Sequence, residues 1–169
     1  STNFPEGGPG ANYLNLFCRG LKENGEQISV YLLKGHAFGR TIYNGPRTNI
    51  SAEGIQYTYL GFRQRPENVL LKLADQLLGF VRLLFLLTSL IIKRKKITIL
   101  IYNGDIFFNT PIHLVSKLGR IKIVKFAAEI IDKSQYRKSL LGKVSRAAYM
   151  FNFKYLNRMA DKMIVFSYY

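Results

Sequence analysis

Short apolar runs with strand composition alternate with amphipathic helical segments along most of this chain. The run 97–102 is almost continuously apolar, which is typical of a strand buried on both faces of a parallel sheet, and residues 121–131 form another apolar strand candidate. Residues 28–33, 55–60 and 163–166 are rich in β-branched and aromatic side chains and are further strand candidates. Because strands and helices alternate, the sequence predicts an α/β fold: a Rossmann-like three-layer domain with a mostly parallel sheet and right-handed crossovers.

Apolar residues at helical spacing predict four helices between these strands. Gly25 is placed to end the first helix. The third is marked by Thr110 as its N-cap and by Pro111 at the first helical position. The four predicted helices cover residues 12–24, 66–92, 110–118 and 135–160.

The second predicted helix is unusually apolar. Residues 77–92 are nearly all hydrophobic, but Arg82 interrupts them, and the remaining run is shorter than the roughly 20 residues that a bilayer-spanning helix needs. We therefore expect no transmembrane span. We expect the helix to be mostly buried, with partial contact with an anionic membrane surface as the alternative. The cations that complement its C-terminal dipole, and would face lipid in the alternative, are Lys93, Arg94, Lys95 and Lys96.

A glycine-rich segment, residues 4–12, stands directly before the first helix and ends in Asn12. Its Gly7, Gly8 and Gly10 let backbone N–H groups approach an anion, and the helix dipole favours phosphate or carboxylate there. A simple turn is the alternative. Because loops of this kind usually follow a first β-strand, we expect that strand to be missing from the chain.

The charge is strongly positive and unevenly distributed. The formal net charge is +15; residues 1–84 carry nine Lys and Arg against six Asp and Glu, whereas residues 85–169 carry sixteen against four. This asymmetry indicates an anionic partner: nucleic acid, anionic lipid headgroups or a phosphorylated small molecule. The long loop predicted for residues 34–54 adds three basic candidates for an anionic ligand, although loop charges are often only solvated: His36, Arg40 and Arg47.

Polar residues follow the carboxyl ends of the predicted parallel strands. In open α/β sheets, ligands bind beyond these ends, near the switch in strand order. The glycine-rich segment is expected at the same edge, so the sequence predicts a binding site there. The polar residues at this edge are Asn103, Asp105, Glu129, Asp132 and Ser167.

Three segments together resemble the N-terminal domain of family 4-type glycosyltransferases: FPEGGPGAN at 4–12, LKENGE at 21–26 and MADKMIVFS at 159–167. The similarity covers nearly the whole chain. It implies a GT-B enzyme with two Rossmann-like domains that face a cleft, of which residues 1–169 would form the N-terminal, acceptor-side domain. The C-terminal domain, which holds most of the nucleotide-sugar donor, would be absent. The resemblance also implies retaining transfer to a glycan or lipid-linked acceptor, without a cofactor or metal ion.

The resemblance assigns roles to the candidate residues. Family members often place a His-Asp pair after the strand that ends here near Glu129, so Glu129 and Asp132 are the catalytic candidates. A carboxylate there could orient an acceptor hydroxyl or take its proton, and a structural Glu is the alternative. The residues expected to border the donor phosphates and the acceptor are Gly7, Gly8, Gly10 and Asn12. The residues expected to contact the acceptor or form the rim are Asn103, Asp105, His36, Arg47 and Ser167.

Two non-enzymatic classes remain open. A nucleic-acid binder would use the positive charge and stack bases on some of the 11 Tyr and 12 Phe, but most of these fall in apolar strands and helices, so nucleic acid is not favoured. An accessory domain that binds a partner or an anionic membrane is the other class. The single Cys18 excludes an intrachain disulfide and favours a reducing compartment. We expect a cytoplasmic protein, peripheral on the inner face of the cell membrane.

Overall fold

The structure is a computed structural model, and it describes residues 4–5, 8–36, 43–93, 96–102, 106–127 and 140–165. The chain forms two compact units, Ser1–Leu83 and Leu84–Tyr169. Each unit contains a three-stranded sheet within the described residues. The fold is mixed α/β, and the parallel strand pairing that the sequence predicts is present in both sheets.

The described part of the first unit contains one complete helix, three strands and the beginning of a second helix. α1 (Gly8–Glu23) precedes β1 (Ser29–Leu32), and β2 (Thr48–Ile50) and β3 (Gln56–Tyr59) lead to α2 (Val69–Ile92). The strand order is β1-β3-β2, with β1 parallel and β2 antiparallel to β3. Val30 and Asn49 both lie opposite Tyr57, so β3 is the central strand of this sheet.

β2 corrects the sequence prediction, which assigned residues 34–54 to a loop. A tight turn folds β2 back onto β3: the Ser51 amide donates to the Ile55 carbonyl (2.9 Å), and the Gly54 amide donates to the Ser51 carbonyl (2.9 Å). Gly54 has a φ of 70°, which glycine adopts without a steric penalty. Because β2 is only three residues long and mostly exposed, it has no apolar pattern by which the sequence could reveal it.

α1 begins at Gly8, four residues before the predicted start at Asn12. Gly8 and Gly10 therefore lie in the first helical turn and not in a loop before the helix. Part of the apolar face that the sequence predicts for this helix is buried. The buried residues of α1 are Ala11, Leu14 and Cys18.

α2 is a helix of 24 residues, and its most apolar part has a mean hydropathy of 1.8. By length and composition alone it could cross a membrane, so the length argument against a span does not hold. Only 22% of that part is buried, so the prediction of a mostly buried helix is wrong. The reason is geometric: burial is confined to a narrow stripe that includes Asp75, Leu83 and Leu87, which are spaced in multiples of four residues.

The second unit contains a fully parallel sheet. Its main elements are the last part of α2, β4 (Thr98–Tyr102), α3 (Ile106–Gly119), β5 (Lys122–Ala127), α4 (Leu140–Phe151) and β6 (Lys162–Val165). The strand order is β4-β5-β6, with Leu100 opposite Val124 and Phe126 opposite Ile164. Since a helix lies between each pair of successive parallel strands, this unit has the strand–helix–strand arrangement expected from the sequence.

The third and fourth helices differ from their predictions. Thr110 does not cap α3, because the helix begins at Ile106 and the Thr110 Oγ1 donates to the Ile106 carbonyl (2.8 Å). Pro111 lies inside the helix, where it cannot donate a backbone hydrogen bond. Beyond Phe151 the fourth helix changes its winding, first to a π-helix (Asn152–Leu156) and then to a 3-10 turn (Asn157–Met159). The remaining part of that prediction, residues 135–139, lies outside the described residues.

Candidate functional site

The first turn of α1 points toward the carboxyl edge of the first sheet. The last turn is fixed at the opposite edge, because Lys22 Nζ donates to the carbonyls of Glu53 and Gly54 (both 3.1 Å), just before β3 begins. The segment before the helix lies on the sheet, where the buried Phe4 ring packs edge-on against Tyr57, with ring centroids 5.8 Å apart. α1 therefore runs antiparallel to β1 and β3, as the helix of a strand–helix–strand crossover does.

The opening of α1 is suited to an anion. The first N–H groups of an α-helix have no acceptor inside the helix, and the helix dipole places partial positive charge there. Gly8 (φ 48°) and the side chain of Asn12 are exposed, and the first turn of α1 contains no acidic residue. Asn15 Nδ2 donates to the Pro5 carbonyl (2.8 Å) and fixes the segment before the helix. Gly7 lies outside the described residues.

His36 and two tyrosines form an aromatic cluster beyond the carboxyl ends of β1 and β3, here termed the His36 cluster. The His36 amide donates to the Arg63 carbonyl (2.9 Å), and its carbonyl accepts from the Arg65 amide (2.8 Å), so its backbone continues the parallel pairing. The Tyr59 hydroxyl lies 3.4 Å from His36 Nδ1. The Tyr43 ring contacts both partners, with its centroid 5.4 Å from that of His36 and 5.2 Å from that of Tyr59.

Hydrogen bonds hold Tyr43 and Arg47 next to the strands that carry the His36 cluster. The Tyr43 amide donates to Gln64 Oε1 (2.9 Å), and the Tyr59 amide donates to the Arg47 carbonyl (3.0 Å). Because β1 and β2 lie on opposite sides of β3, the structure brings His36 and Arg47 to either side of Tyr59. These two predicted site residues are therefore neighbours of one buried tyrosine.

The His36 cluster combines apolar rings with polar tips. Tyr59 is buried, whereas Tyr43, His36 and Arg47 are partly exposed. A tyrosine ring offers an apolar face for stacking, and its hydroxyl and the imidazole can donate or accept hydrogen bonds. An arginine nearby adds a charge that suits phosphate or carboxylate. The edge can therefore bind a ligand with alternating apolar faces and hydroxyl groups, such as a sugar.

Most other predicted site residues lie outside the described part of the chain. They are Asn103, Asp105, Glu129, Asp132 and Ser167, together with Arg40. The described strand ends nearest to them in sequence are Tyr102, Ala127 and Val165. Because β4, β5 and β6 are parallel, the chain leaves all three strands at one edge of the second sheet. The catalytic roles of Glu129 and Asp132 remain predictions.

The sequence analysis did not find a buried polar cluster in the second unit. Lys125 of β5 is 5% exposed, and its Nζ donates to Asn152 Oδ1 (3.0 Å), which also accepts from Asn109 Nδ2 (3.0 Å). Burial lowers the pKa of Lys125 to about 8. Burial, followed by the Lys125 charge, lowers the pKa of the buried His113, and Asp161 acts in the opposite direction. One signal was present: Lys125 is a charged residue within the apolar strand predicted for residues 121–131.

No family model, curated protein or solved structure matches this chain. Among the described residues, no group of three or more His, Cys, Asp or Glu side chains is placed to hold a metal ion. The carboxyl edge of the first sheet, with the opening of α1 and the His36 cluster, is the strongest candidate site.

Proposed function

We propose that this chain is the acceptor-side, Rossmann-like half of a GT-B glycosyltransferase, which transfers a sugar from a nucleotide-sugar donor to a glycan or lipid-linked acceptor with retention of configuration. The observation that carries the proposal is the His36 cluster at the same sheet edge as the opening of α1. That edge offers a stacking surface for an acceptor sugar beside a helix opening suited to the donor phosphates.

The proposal divides the reaction between two domains. The acceptor is held by this half, and most of the nucleotide sugar by a second domain of similar fold. Glu129 and Asp132 are proposed to act at the reacting centre, where a carboxylate would orient the acceptor hydroxyl or take its proton as the nucleoside diphosphate leaves. The cations and the α1 amides would stabilise the charge on the departing diphosphate. We place the reaction in the cytoplasm, at the inner face of the cell membrane.

Acceptor binding by the His36 cluster can be tested on this chain directly. Tyrosine fluorescence would be recorded during titration with glycans, since the chain contains 11 Tyr and no Trp. Tyr43→Ala removes a partly exposed stacking ring and is expected to weaken binding by about tenfold, because a stacking ring is worth roughly 1 kcal/mol or more. Tyr31→Ala, which removes a 40% exposed ring from β1, is the matched control. Equal effects of both variants would refute the acceptor site.

The transfer reaction needs a separate assay with the donor domain present. Release of nucleoside diphosphate would be followed on mixing donor and acceptor, and the anomeric configuration of the product would be read by NMR. Glu129→Gln is expected to lower kcat by 10²-fold or more, in the range typical of losing a general acid–base group. An inverted product would refute retention, and full activity of Glu129→Gln would remove the catalytic role of this residue.

A further inference from the structure

An open groove lies at the amino edge of the second sheet, opposite to the carboxyl ends of β4, β5 and β6. It has a volume of about 600 Å³. Its walls are the end of α2, the residues that lead into β4, and the connection from α3 to β5. The lining combines aliphatic side chains with cations and contains no acidic residue.

The ends of α2 and α3 come together at this groove because Gly119 has no side chain. A Cβ atom at position 119 would lie 2.6 Å from Ile91 Cγ1, so only glycine allows this approach without a shift. The Ile121 amide donates to the Ser116 carbonyl (2.8 Å) and closes the end of α3. Arg120, with a φ of 53°, turns the chain from the helix into β5. The backbone at Gly119 and Arg120 thus sets the shape of one wall of the groove.

Three large apolar side chains of the second unit are left in solvent, and one of them, Leu118, lines the groove. Leu118 is 85% exposed, Ile92 is 74% exposed and Phe85 is 73% exposed. Phe85 and Ile92 are seven residues apart and share one face of α2, while Leu118 lies in the groove wall. Single exposed apolar residues are common on soluble proteins, but one in the groove wall, one directly after the groove residue Ile91 and a third on the same helix face indicate a contact surface.

Cations surround these apolar side chains. Lys96, Arg120 and Lys122 line the groove, and Lys93 follows α2 directly; all four are exposed. Asp161 does not line the groove, and its carboxylate accepts a hydrogen bond from the Ile123 amide (2.7 Å). Two members of the predicted Lys93–Lys96 run, Arg94 and Lys95, lie outside the described residues. The surface therefore complements a partner that is anionic outside and apolar within.

We propose that the amino edge of the second sheet binds the surface of an anionic phospholipid bilayer. The lipid phosphates meet Lys93, Lys96, Arg120 and Lys122, each of which contributes through Coulomb attraction near the surface. Leu118, Ile92 and Phe85 enter the boundary between headgroups and acyl chains, where apolar side chains lose their contact with water. Nucleic acid would use the same cations but would gain nothing from exposed aliphatic groups.

The contacts of the first half of α2, in the first unit, argue against a bilayer-spanning helix. One face exposes apolar side chains, including Leu70 (74%) and Leu77 (59%). The opposite face is held by polar bonds: Asp75 accepts from the Phe62 amide (2.5 Å), and Arg82 Nη1 donates to the Leu60 carbonyl (2.9 Å). A bilayer-spanning helix would have to break these bonds and place both charges in hydrocarbon.

The proposed membrane contact rests on the proposed function only for the location at the membrane, and it does not bear on the sugar transfer itself. β4 has five residues and spans roughly 17 Å, so the amino edge of the sheet lies that far from the edge that carries the catalytic predictions. The lipid surface at this edge would tether the protein without entering the reaction. The two proposals can therefore fail separately.

Vesicle binding by the full chain tests the proposal. Co-sedimentation would be measured with vesicles of equal parts phosphatidylcholine and phosphatidylglycerol, and with phosphatidylcholine alone, at low and high salt. We expect binding only to the anionic vesicles, and weaker binding as salt rises. Lys96→Gln with Lys122→Gln is expected to weaken binding by about 30-fold, at about fivefold for each charge near the surface. Leu118→Ser is expected to weaken it by about tenfold.

Two controls separate this surface from a general charge effect. Lys143→Gln removes an exposed cation from α4, and Leu16→Ser removes a 58% exposed leucine from α1; neither is expected to change vesicle binding. Circular dichroism melts would confirm that every variant is folded. Equal losses with the control variants would overturn the proposal. The proposal would also be overturned if soluble glycerol phosphate saturated the surface and vesicles did not bind. It would equally be overturned if an oligonucleotide bound through Lys96 and Lys122 and vesicles did not bind.

Discussion

Replacement of Lys125 by methionine should stabilise the folded chain at neutral pH and destabilise it at high pH. In the folded chain the ammonium group is 5% exposed and is bonded to Asn152 Oδ1 at 3.0 Å. Burial lowers the pKa of Lys125 from 10.5 to about 8. Methionine has a similar length and no charge, so Lys125→Met removes the cost of burying a cation together with the benefit of one hydrogen bond.

The sign and size follow from proton linkage. Between about pH 8 and 10.5 the unfolded chain holds a proton on Lys125 that the folded chain has lost, so stability rises with pH across this window. The difference of about 2.5 between the two pKa values corresponds to about 3 kcal/mol. At neutral pH this penalty exceeds the roughly 1 kcal/mol of a buried hydrogen bond, so Lys125→Met should be more stable by about 2 kcal/mol. Above pH 10.5 it should be less stable by about 1 kcal/mol.

The assay is urea unfolding followed by circular dichroism, for the parent chain and for Lys125→Met, at several pH values. Subtracting the two curves cancels the titration of all other groups that the substitution leaves unchanged, including Cys18. Lys122→Met, at an exposed position of the same strand, controls for the loss of a strand lysine. A difference in unfolding free energy that stays constant from neutral pH to pH 10.5 would show that Lys125 is not held in a buried site, and the reasoning would be refuted.

Three further outcomes follow from buried groups. Asp75→Ala should destabilise the chain by about 2–4 kcal/mol in urea unfolding, because it leaves the amides of Phe62 and Gly35 without their acceptor. Asp75→Asn keeps an acceptor and should destabilise the chain less, so equal losses would contradict this role of Asp75. Burial raises the pKa of Cys18 from 9.0 to about 11, so alkylation of Cys18 near neutral pH should be at least about 100-fold slower in the folded chain than in urea. Similar rates in both conditions would contradict the burial of Cys18. Burial and, secondly, the Lys125 charge lower the pKa of His113, so the stability of the folded chain should fall as pH drops below 6.5. In melts at varied pH, His113→Leu should remove that pH dependence, and an unchanged dependence would exclude His113 as its source.

The candidate site was only partly predictable from the sequence. His36 and Arg47 were identified as basic residues of a long loop, and the structure places them on either side of Tyr59. Tyr59 itself was assigned to a strand without a functional role, because its position next to His36 depends on how β1 and β3 pair. The anion-binding prediction for Gly8 and Gly10 stays a prediction, although the helix opening that it requires is present and exposed.

The sequence by itself determined the order and type of most elements. β1, β3, β4 and β6 lie where the apolar runs predict them, to within a few residues, because strand periodicity is a local property of the chain. The start of α3 was missed for a local reason of another kind: Thr110 bonds back to the Ile106 carbonyl within the helix instead of capping it. Patterns of composition thus define an α/β chain, but they leave the boundaries open.

Only the tertiary structure decided which side chains are covered. An apolar helix such as α2 has the same sequence pattern whether it is buried, laid on a membrane or inserted, and only the contacts of Asp75 and Arg82 show which face is held. The sequence likewise shows Lys125 only as a charge within an apolar strand, and its partner Asn152, 27 positions later, is identified only by the fold. Burial depends on contacts between residues far apart in sequence, and local periodicity carries no information about those contacts.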